Sequence, residues 1–270
     1  MLDLEKIKSS AGRSLFNSGI YYMPEIDSTN EYAKSLPEES DFLVLTDNQT
    51  KGLGRMGRTW ESEKGKNITF TLKKHFEVEP GKVQAVNFYF SYFLLACIKN
   101  FIAKKYNHKK YFPGINIKWP NDILINSKKV SGLLIENPAG KNHFIIGVGI
   151  NVNQEKFSSE FDHKATSLKN ILGLDIDLNE FIIELLNVFA KNLNLITDKK
   201  YELIYGLWKR SNNIIGKEVY FQDGENMNKY GKIMDLLNDG GLLMKVDGEF
   251  KTFYSGEIKI LQNREGSFKE

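Results

Sequence analysis

One cysteine, six prolines and four histidines in 270 residues leave little with which to staple or metallate a fold. A lone Cys97 excludes an intrachain disulfide framework, and its place between Ala96 and Ile98 reads as a small buried hydrophobe rather than a nucleophile. His75, His108, His143 and His163 are scattered, without the spacing of metal ligands. Long hydrophobic runs are missing too: the longest charge-free apolar stretch, residues 83–98, is shorter than the ~18 residues a bilayer span requires. Gln84, Asn87 and Ser91 recur in it at helical spacing, which predicts a mostly buried amphipathic helix. The first residues carry acid where a secretory signal carries a basic and then an apolar run. Charge of one sign is not in excess either; a net +3 implies no nucleic-acid partner by itself. These absences together predict a cytoplasmic protein with no membrane segment. What is present is ordinary for a globular chain, with 41% hydrophobic and 26% charged residues, and excludes disorder and collagen. A chain this long buries roughly 70% or more of its unfolded surface, so it needs no covalent staple.

No repeat or low-complexity segment interrupts the chain. Asp27-Ser28-Thr29-Asn30-Glu31 predicts a helix start, with Ser28 and Glu31 at capping-box spacing ahead of Tyr32, Ala33 and Leu36. Residues 42–45 form an apolar run typical of a buried strand, and residues 67–72 alternate as a strand does. After a helix over residues 83–104, four further strands are expected at 115–119, 123–125, 130–135 and 144–151, with a turn at Asn126-Ser127-Lys128. Leu178, Phe181, Ile182, Leu185, Leu186, Phe189 and Leu193 mark one face of a second helix beginning near Asp177, and a shorter one covers 201–208. From Asn213 onward, short apolar runs alternate with Asp223-Gly224, Asp239-Gly240-Gly241 and Asp247-Gly248, and the last run spans 258–261. This hairpin series predicts a small β-barrel after a boundary near 211–213. The fold class expected is α+β with an all-β tail, divided at 1–212 and 213–270.

Four segments carry candidate chemistry. Gly52, Gly54 and Gly57 spell G-x-G-x-x-G, but a dinucleotide fingerprint requires a helix to open there, and the continuation Arg58-Thr59-Trp60-Glu61 has no apolar helical stripe. What remains is a glycine loop with Lys51, Arg55 and Arg58, suited to an anion such as a nucleotide phosphate, or else a solvated flexible loop. Lys118-Trp119-Pro120-Asn121-Asp122 sets an amide and a carboxylate beside a lysine at a stiff turn. That carboxylate is suited to holding Mg²⁺, orienting an amine or acting as a base, and the alternative is an ordinary Asx turn. Lys129 and Gly132 lie at a strand where a glycine permits close approach, though an edge lysine alone is often only solvated. Residues 147–153 read as a glycine-bearing strand running into Asn151 and Asn153, or as a bulge and turn.

These segments in this order, with Asp27-Ser28-Thr29-Asn30 upstream, resemble the biotin protein ligases (biotin–acetyl-CoA-carboxylase ligases), from about Ile26 to Asn153. The tail, with Gly231, Gly240, Gly241 and Gly256-Glu257, resembles that family's SH3-like C-terminal domain. The resemblance implies a mixed β-sheet backed by helices, the class II synthetase-like biotin/lipoate-ligase fold, and a small SH3-like barrel. It also implies that biotin and Mg²⁺–ATP give biotinyl-5′-AMP and pyrophosphate, after which a lysine of a biotin carboxyl carrier domain takes the biotinyl group and AMP leaves. Carried over residue by residue, Ser28, Thr29, Asn30, Gln49, Gly52, Leu53, Gly54, Arg55, Lys129 and Gly132 would bind biotin. Arg55, Met56, Gly57, Arg58, Trp60, Lys118, Asn121, Lys129 and Asn151 would bind ATP or the adenylate. Catalysis would rest on Lys129, Asp122, Arg55, Arg58 and Lys118, with Mg²⁺ arriving with ATP, near Asp122, and no fixed protein metal site. Thr29 and Gln49 with Ser28 would bond the ureido ring, Trp60 would wall the adenylate, and Asn151 would lie near the adenine.

The family's loop usually reads Gly-Arg-Gly-Arg-x-Gly-Arg, and Leu53 stands where the first arginine would be. The expectation is weaker retention of the adenylate, with Lys51, Arg55 and Arg58 carrying the phosphates. Only 26 residues precede Asp27, fewer than the helix-turn-helix of the repressor-type relatives needs, so no DNA partner is expected. The alternatives are a lipoate-type ligase, disfavoured by the loop and the Lys-Trp-Pro-Asn-Asp turn, and a non-catalytic biotin- or nucleotide-binding module, which would need neither Asp122 nor Lys129. Monomer and homodimer both stay open.

Overall fold

The computed structural model describes residues 2–37, 40–106, 114–138, 142–161, 164–222 and 228–260. His108, His163, the Asp223-Gly224 turn and Leu261 fall outside them. Asp3 caps helix α1 (Leu4–Ser10), and the chain then enters strand β1 (Gly19–Met23), which the hydropathy pattern does not announce. Helix α2 (Thr29–Ser35) begins on Ser28, whose hydroxyl accepts the Glu31 N–H, so the capping reading of the Ser-x-x-Glu spacing holds. It connects β1 to strand β2 (Phe42–Thr46), which runs parallel to β1. Strand β3 (Ile68–His75), helix α3 (Gln84–Tyr106), and strands β4 (Ile115–Lys118), β5 (Asp122–Ile125), β6 (Lys128–Glu136) and β7 (His143–Ile150) follow. The seven strands form one sheet in the order β1-β2-β3-β7-β6-β5-β4, antiparallel at every pairing except β1–β2, and so mixed as expected. The β5–β6 turn is a two-residue connection with Asn126 and Ser127 both left-handed (φ 50° and 66°), the geometry that fits the right-handed twist of a tight hairpin.

The two faces of this sheet have different tasks. Phe70 and Leu72 of β3, Leu133 of β6 and Ile146 and Val148 of β7 point to the face covered by α3, and all are buried. The alternate positions, Thr69 and Thr71 on β3, Gly132 on β6 and Gly147 and Gly149 on β7, form the other face, and the register pairs Thr71 with Gly147 and Thr69 with Gly149. A second, smaller cluster under α2 (Ala33, Leu36, Phe42, Val44, Ile145) holds that helix on the glycine-bearing side.

Helix α3 departs from the amphipathic expectation. Ser91 is fully buried, and apolar side chains such as Phe88, Phe90, Leu94 and Ile98 cover most sides of the helix. Length and composition would let it cross a membrane, contrary to the reading that its apolar run is too short. Its apolar window is, however, 72% buried inside the protein, as the central helix of a core must be. Helix α4 (Leu168–Leu172) is tied to the end of β7 by the Leu168 N–H donating to the Asn151 carbonyl, and α5 (Leu178–Lys191, capped by Asp177), α6 (Asn194–Thr197) and α7 (Tyr201–Arg210) pack with α3, with Leu193 just beyond the helix whose face it was expected to share.

The tail forms a second sheet from strands β8 (Glu218–Gln222), β9 (Asn228–Leu236), β10 (Leu242–Val246), β11 (Glu249–Phe253) and β12 (Glu257–Ile260). It is antiparallel throughout, in the order β11-β10-β9-β8-β12, consistent with a small SH3-like unit. Val219, Phe221, Ile233, Leu242 and Met244 face inward and join the same core as the large sheet. Where the chain passes between the sheets it lies against the edge of β4, the Ile117 N–H donating to the Ser211 carbonyl at 2.9 Å.

Two indoles clamp the β4–β5 turn between the layers. Trp208 of α7 is fully buried, stacks on Phe88 at 4.2 Å between ring centroids, and donates Nε1–H to the Pro120 carbonyl at 3.3 Å. Trp119 donates to the Gly240 carbonyl of the second sheet at 2.9 Å. Trp208→Ala is expected to lower unfolding free energy by about 3–5 kcal/mol, the usual result of truncating a large core aromatic. Trp208→Phe, which retains the stack and loses only the N–H, should lose less than half of that in the same urea titration.

Candidate active site

A cleft of about 500 Å³ opens over the glycine-bearing face of the large sheet. Its floor is bare backbone. A Cβ at Gly149 would overlap the Trp60 indole, and one at Gly147 would overlap the Asn30 amide, both well inside contact distance. A Cβ at Gly132 would lie 2.8 Å from Lys129 Cε and 3.3 Å from Asp122 Oδ1. The absence of three side chains therefore lets an indole, an amide and an ion pair lie directly on the strands.

Lys129 and Asp122 meet through the β5–β6 hairpin, Nζ to Oδ1 at 2.7 Å, because Asp122 pairs in register with Gly132. The same ammonium sits 5.5 Å from the Trp60 ring centroid, within cation–π range. Asn121, 5% exposed, is held by its Nδ2 donating to the Leu133 carbonyl at 2.5 Å. The Trp119-Pro120 bond that leads into Asn121 is a cis peptide. Residues 49–60 form a loop with one 3₁₀ turn at Arg55–Gly57 and no α-helix, so the dinucleotide fingerprint is absent in structure as in context. Met56 adopts φ 56° there and is exposed, as is Leu53 at the cleft rim.

Among the described residues, five cations line the cleft (Arg55, Arg58, Lys118, Lys129, Lys164) against three carboxylates (Asp122, Glu160, Glu257). Two of those acids are already committed, Asp122 to Lys129 and Glu257 of β12 to Arg58. Arg55 has no ion pair within 4 Å among the described residues. Burial draws its guanidinium below the ordinary value, Arg58 adds to that effect, and Asp122 opposes it. Such a cation is short of solvation and gains from an incoming anion. Two buried polar atoms in the cleft, Trp60 Nε1 and Thr69 Oγ1, have no hydrogen-bond partner among the described residues.

At the inner end, Gln49 Oε1 accepts from Thr29 N at 2.8 Å and from Thr29 Oγ1 at 3.0 Å, and Ser28 and Asn30 lie beside them. The structure thus brings together Ser28, Thr29, Asn30, Gln49, Leu53, Gly54, Arg55, Met56, Arg58, Trp60, Lys118, Asn121, Asp122, Lys129 and Gly132 around one cleft. Four candidates sit elsewhere. Lys51, expected to carry phosphate, turns outward to an exposed ion pair with Asp27 at 2.7 Å. Gly52 is buried under Trp60, where a Cβ would lie 2.6 Å from the Trp60 carbonyl. Gly57 has φ +70° and shapes the loop rather than lining the cleft. Asn151 lies behind the wall, its Nδ2 donating to the Thr166 carbonyl at 3.1 Å. Sequence reasoning missed Thr69 and Thr71, although strand alternation against Phe70 and Leu72 places them on the cleft side. It also missed Lys164, which sits in a polar loop with no local signal.

The fold and the cleft match a class of ligases. A profile of the biotin/lipoate A/B protein ligase family matches residues 22–153. The bifunctional ligase/repressor BirA of Bacillus spizizenii is 30% identical over 269 residues, covering 96% of this chain and 79% of that protein. The biotin–[acetyl-CoA-carboxylase] ligase of Paracoccus denitrificans is 27% identical, covering 81% of this chain and 90% of that protein. Among solved structures, the biotin protein ligase from Aquifex aeolicus in complex with biotin and ATP is 27% identical with a TM-score of 0.72, over 91% of this chain and all of that one. The chain belongs to the biotin/lipoate A/B protein ligase family and, within it, to the biotin protein ligases.

Gly147→Ala tests the bare floor. It should lower stability by about 1–3 kcal/mol, as overpacking does, and a crystal structure should show Asn30 displaced. An undisplaced Asn30 at unchanged stability would show the floor to have slack.

Proposed function

We propose that this protein joins biotin to a lysine of a biotin carboxyl carrier domain in two steps, through biotinyl-5′-AMP. The observation that carries the reading is the placing of Arg55, Lys118 and Lys129 over a glycine floor, in one cleft whose inner end is lined by hydrogen-bonding groups. The first step brings a carboxylate to a phosphate. A biotin carboxylate oxygen attacks the α-phosphorus and pyrophosphate leaves, so two anions must approach while charge builds at phosphorus. Preorganised cations aimed at that point lower the barrier. Lys129 stands between Asp122 and Trp60, where it can reach both the carboxylate and the phosphate; Arg55 and Lys118 add charge on either side. Mg²⁺ enters as part of the substrate Mg–ATP; among the described residues no group of three or more His, Cys, Asp or Glu converges to hold a resident ion.

Thr29 and Gln49 bond the ureido ring at the inner end, which spares its donors and acceptors the cost of burial unpaired. Trp60, laid on Gly149 by the Nε1 edge of its indole, walls the adenylate. Asn151 acts from behind, holding the 165–167 segment rather than touching adenine. In the second step the acceptor amine must be neutral to attack, against a reference pKa of ~10.4. Asp122 orients that amine once the phosphates compete for Lys129. The amide then forms and AMP leaves. ATP as co-substrate and a single buried thiol suit the cytoplasm.

Biotin-dependent exchange of labelled pyrophosphate into ATP, and a biotin-sized mass gain on a carrier domain, test the reading. Lys129→Ala should reduce the exchange at least about 10²-fold with an unchanged melting temperature. Exchange at the wild-type rate removes Lys129 from the chemistry, and a mass gain with lipoate instead of biotin replaces the substrate. Leu53 puts an apolar side chain at its place on the rim, so Leu53→Arg is expected to slow release of preformed biotinyl-AMP severalfold in a filter-binding chase; equal rates would remove the link between this position and retention.

A further inference from the structure

Behind the inner end of the cleft runs a chain of hydrogen bonds that ends on a carboxylate with no place in the chemistry. Glu136, the last residue of β6, reaches α2 with both oxygens: Oε1 pairs with Lys34 at 2.9 Å, and Oε2 accepts from Asn30 Nδ2 at 3.0 Å. Asn30 Nδ2 also meets the Leu134 carbonyl at 3.3 Å. Both of those oxygens can only accept, so the amide nitrogen must face them and Oδ1 must face the opposite way. There it lies 2.6 Å from Thr71 Oγ1, which must donate to it. Thr71 has then spent its one proton. The other acceptor in its reach, Thr29 Oγ1 at 2.8 Å, is farther than the amide oxygen and goes without that proton. Thr29 Oγ1 itself donates to Gln49 Oε1 at 3.0 Å, which turns its proton inward and leaves its lone pairs for the cleft.

We infer that Glu136 is a positioning residue for substrate selection: through Asn30 and Thr71 it sets the polarity of Thr29, making that hydroxyl an acceptor for an N–H of the bound ring. The inference rests on the biotin reading above and deepens it. Gln49 Oε1 is tied to the Thr29 backbone, so its amide nitrogen is the end left to donate. An inward-turned hydroxyl and an outward-turned amide together match the N–H and C=O of a cyclic urea. Lys34 on Oε1 keeps the carboxylate aimed, and Gly147 leaves the space in which Asn30 lies. An amide at position 136 could donate instead of accept. Asn30 would then be held in its present sense only by the Leu134 carbonyl at 3.3 Å; once it turned over, Thr71 would point its proton at Thr29, and an acceptor lone pair would be lost from the cleft.

The test uses the full chain and two variants, Glu136→Gln, which loosens the hold on Asn30, and Thr71→Val, which removes the only proton that could be turned onto Thr29 from that side, with biotin and ATP KM read separately in pyrophosphate exchange. Glu136→Gln should raise the biotin KM about tenfold or more, while the ATP KM and the rate at saturating biotin stay within about twofold. Thr71→Val leaves Thr29 donating to Gln49 and should keep the biotin KM within about threefold of the wild type. Biotin methylated on the ureido nitrogens gives a readout that a merely structural role would not move, because the preference of the wild type for biotin over it should narrow in Glu136→Gln and not in Thr71→Val. The inference is overturned if the biotin KM stays at the wild-type value in folded Glu136→Gln, if Thr71→Val raises it as much, or if biotin and ATP KM rise together with a lowered melting temperature. A wild-type protein without biotin-dependent exchange would overturn the functional reading and this inference with it. An active wild type with an unmoved Glu136→Gln would overturn this inference alone.

Discussion

Three missing side chains in register are the constraint on which the site depends. Gly132, Gly147 and Gly149 lie on adjacent positions of β6 and β7, Gly132 paired with Gly149, and together they strip one patch of the sheet to its backbone. The opposite face of the same strands carries Leu133, Ile146 and Val148 into the core, so the floor cannot drop away. Glycines in a strand cost conformational entropy, and the sheet on either side makes up for it with close-packed apolar layers. What the patch obtains is proximity. An indole, a carboxamide and an ion pair rest directly on main chain, each immobilised by its neighbours rather than by its own rotamer preference.

The charges above that floor follow the same logic of preset position. Lys129 and Arg58 are each already paired, one with Asp122 and the other with Glu257, which tempers the repulsion among the cleft's cations before a ligand arrives. These pairs are partly open to water, and their strength is modest against what phosphate oxygens offer. An incoming anion can therefore exchange for the internal acid at small net cost. That exchange ties the second sheet to the chemistry, since Glu257 comes from β12 and Gly240 receives the Trp119 indole.

Several elements could be read without coordinates. Helix α5 was legible because its apolar residues fall on one face and Asp177 caps it, and the β5–β6 hairpin because Asn126-Ser127 tolerates left-handed backbone. Strand β1 was not, since all five of its residues are half-buried and no alternation results. Helix α3 misled in the other direction: with burial on nearly every side, its scattered polar residues mark no solvent face. Of the glycine loop's cations, Arg55 and Arg58 reach the cleft and Lys51 does not. Local spacing cannot show this, because Asp27 lies 24 residues away along the chain and beside Lys51 only in the fold.

The sequence alone determined the residue types and their order: a glycine loop with arginines, a lysine–carboxylate hairpin, a capped helix opening on Ser-Thr-Asn, and an all-β tail. Those follow from covalent connectivity and short-range periodicity, which act over a few residues. Only the tertiary structure decided which of these groups meet. The pairing of Arg58 with Glu257, the support of Asn30 by Glu136, and the placing of Asn151 behind the wall join residues 199, 106 and 15 positions apart. Strand register and the packing of α2 against β7 set those distances, and both are properties of the whole core rather than of any segment within it.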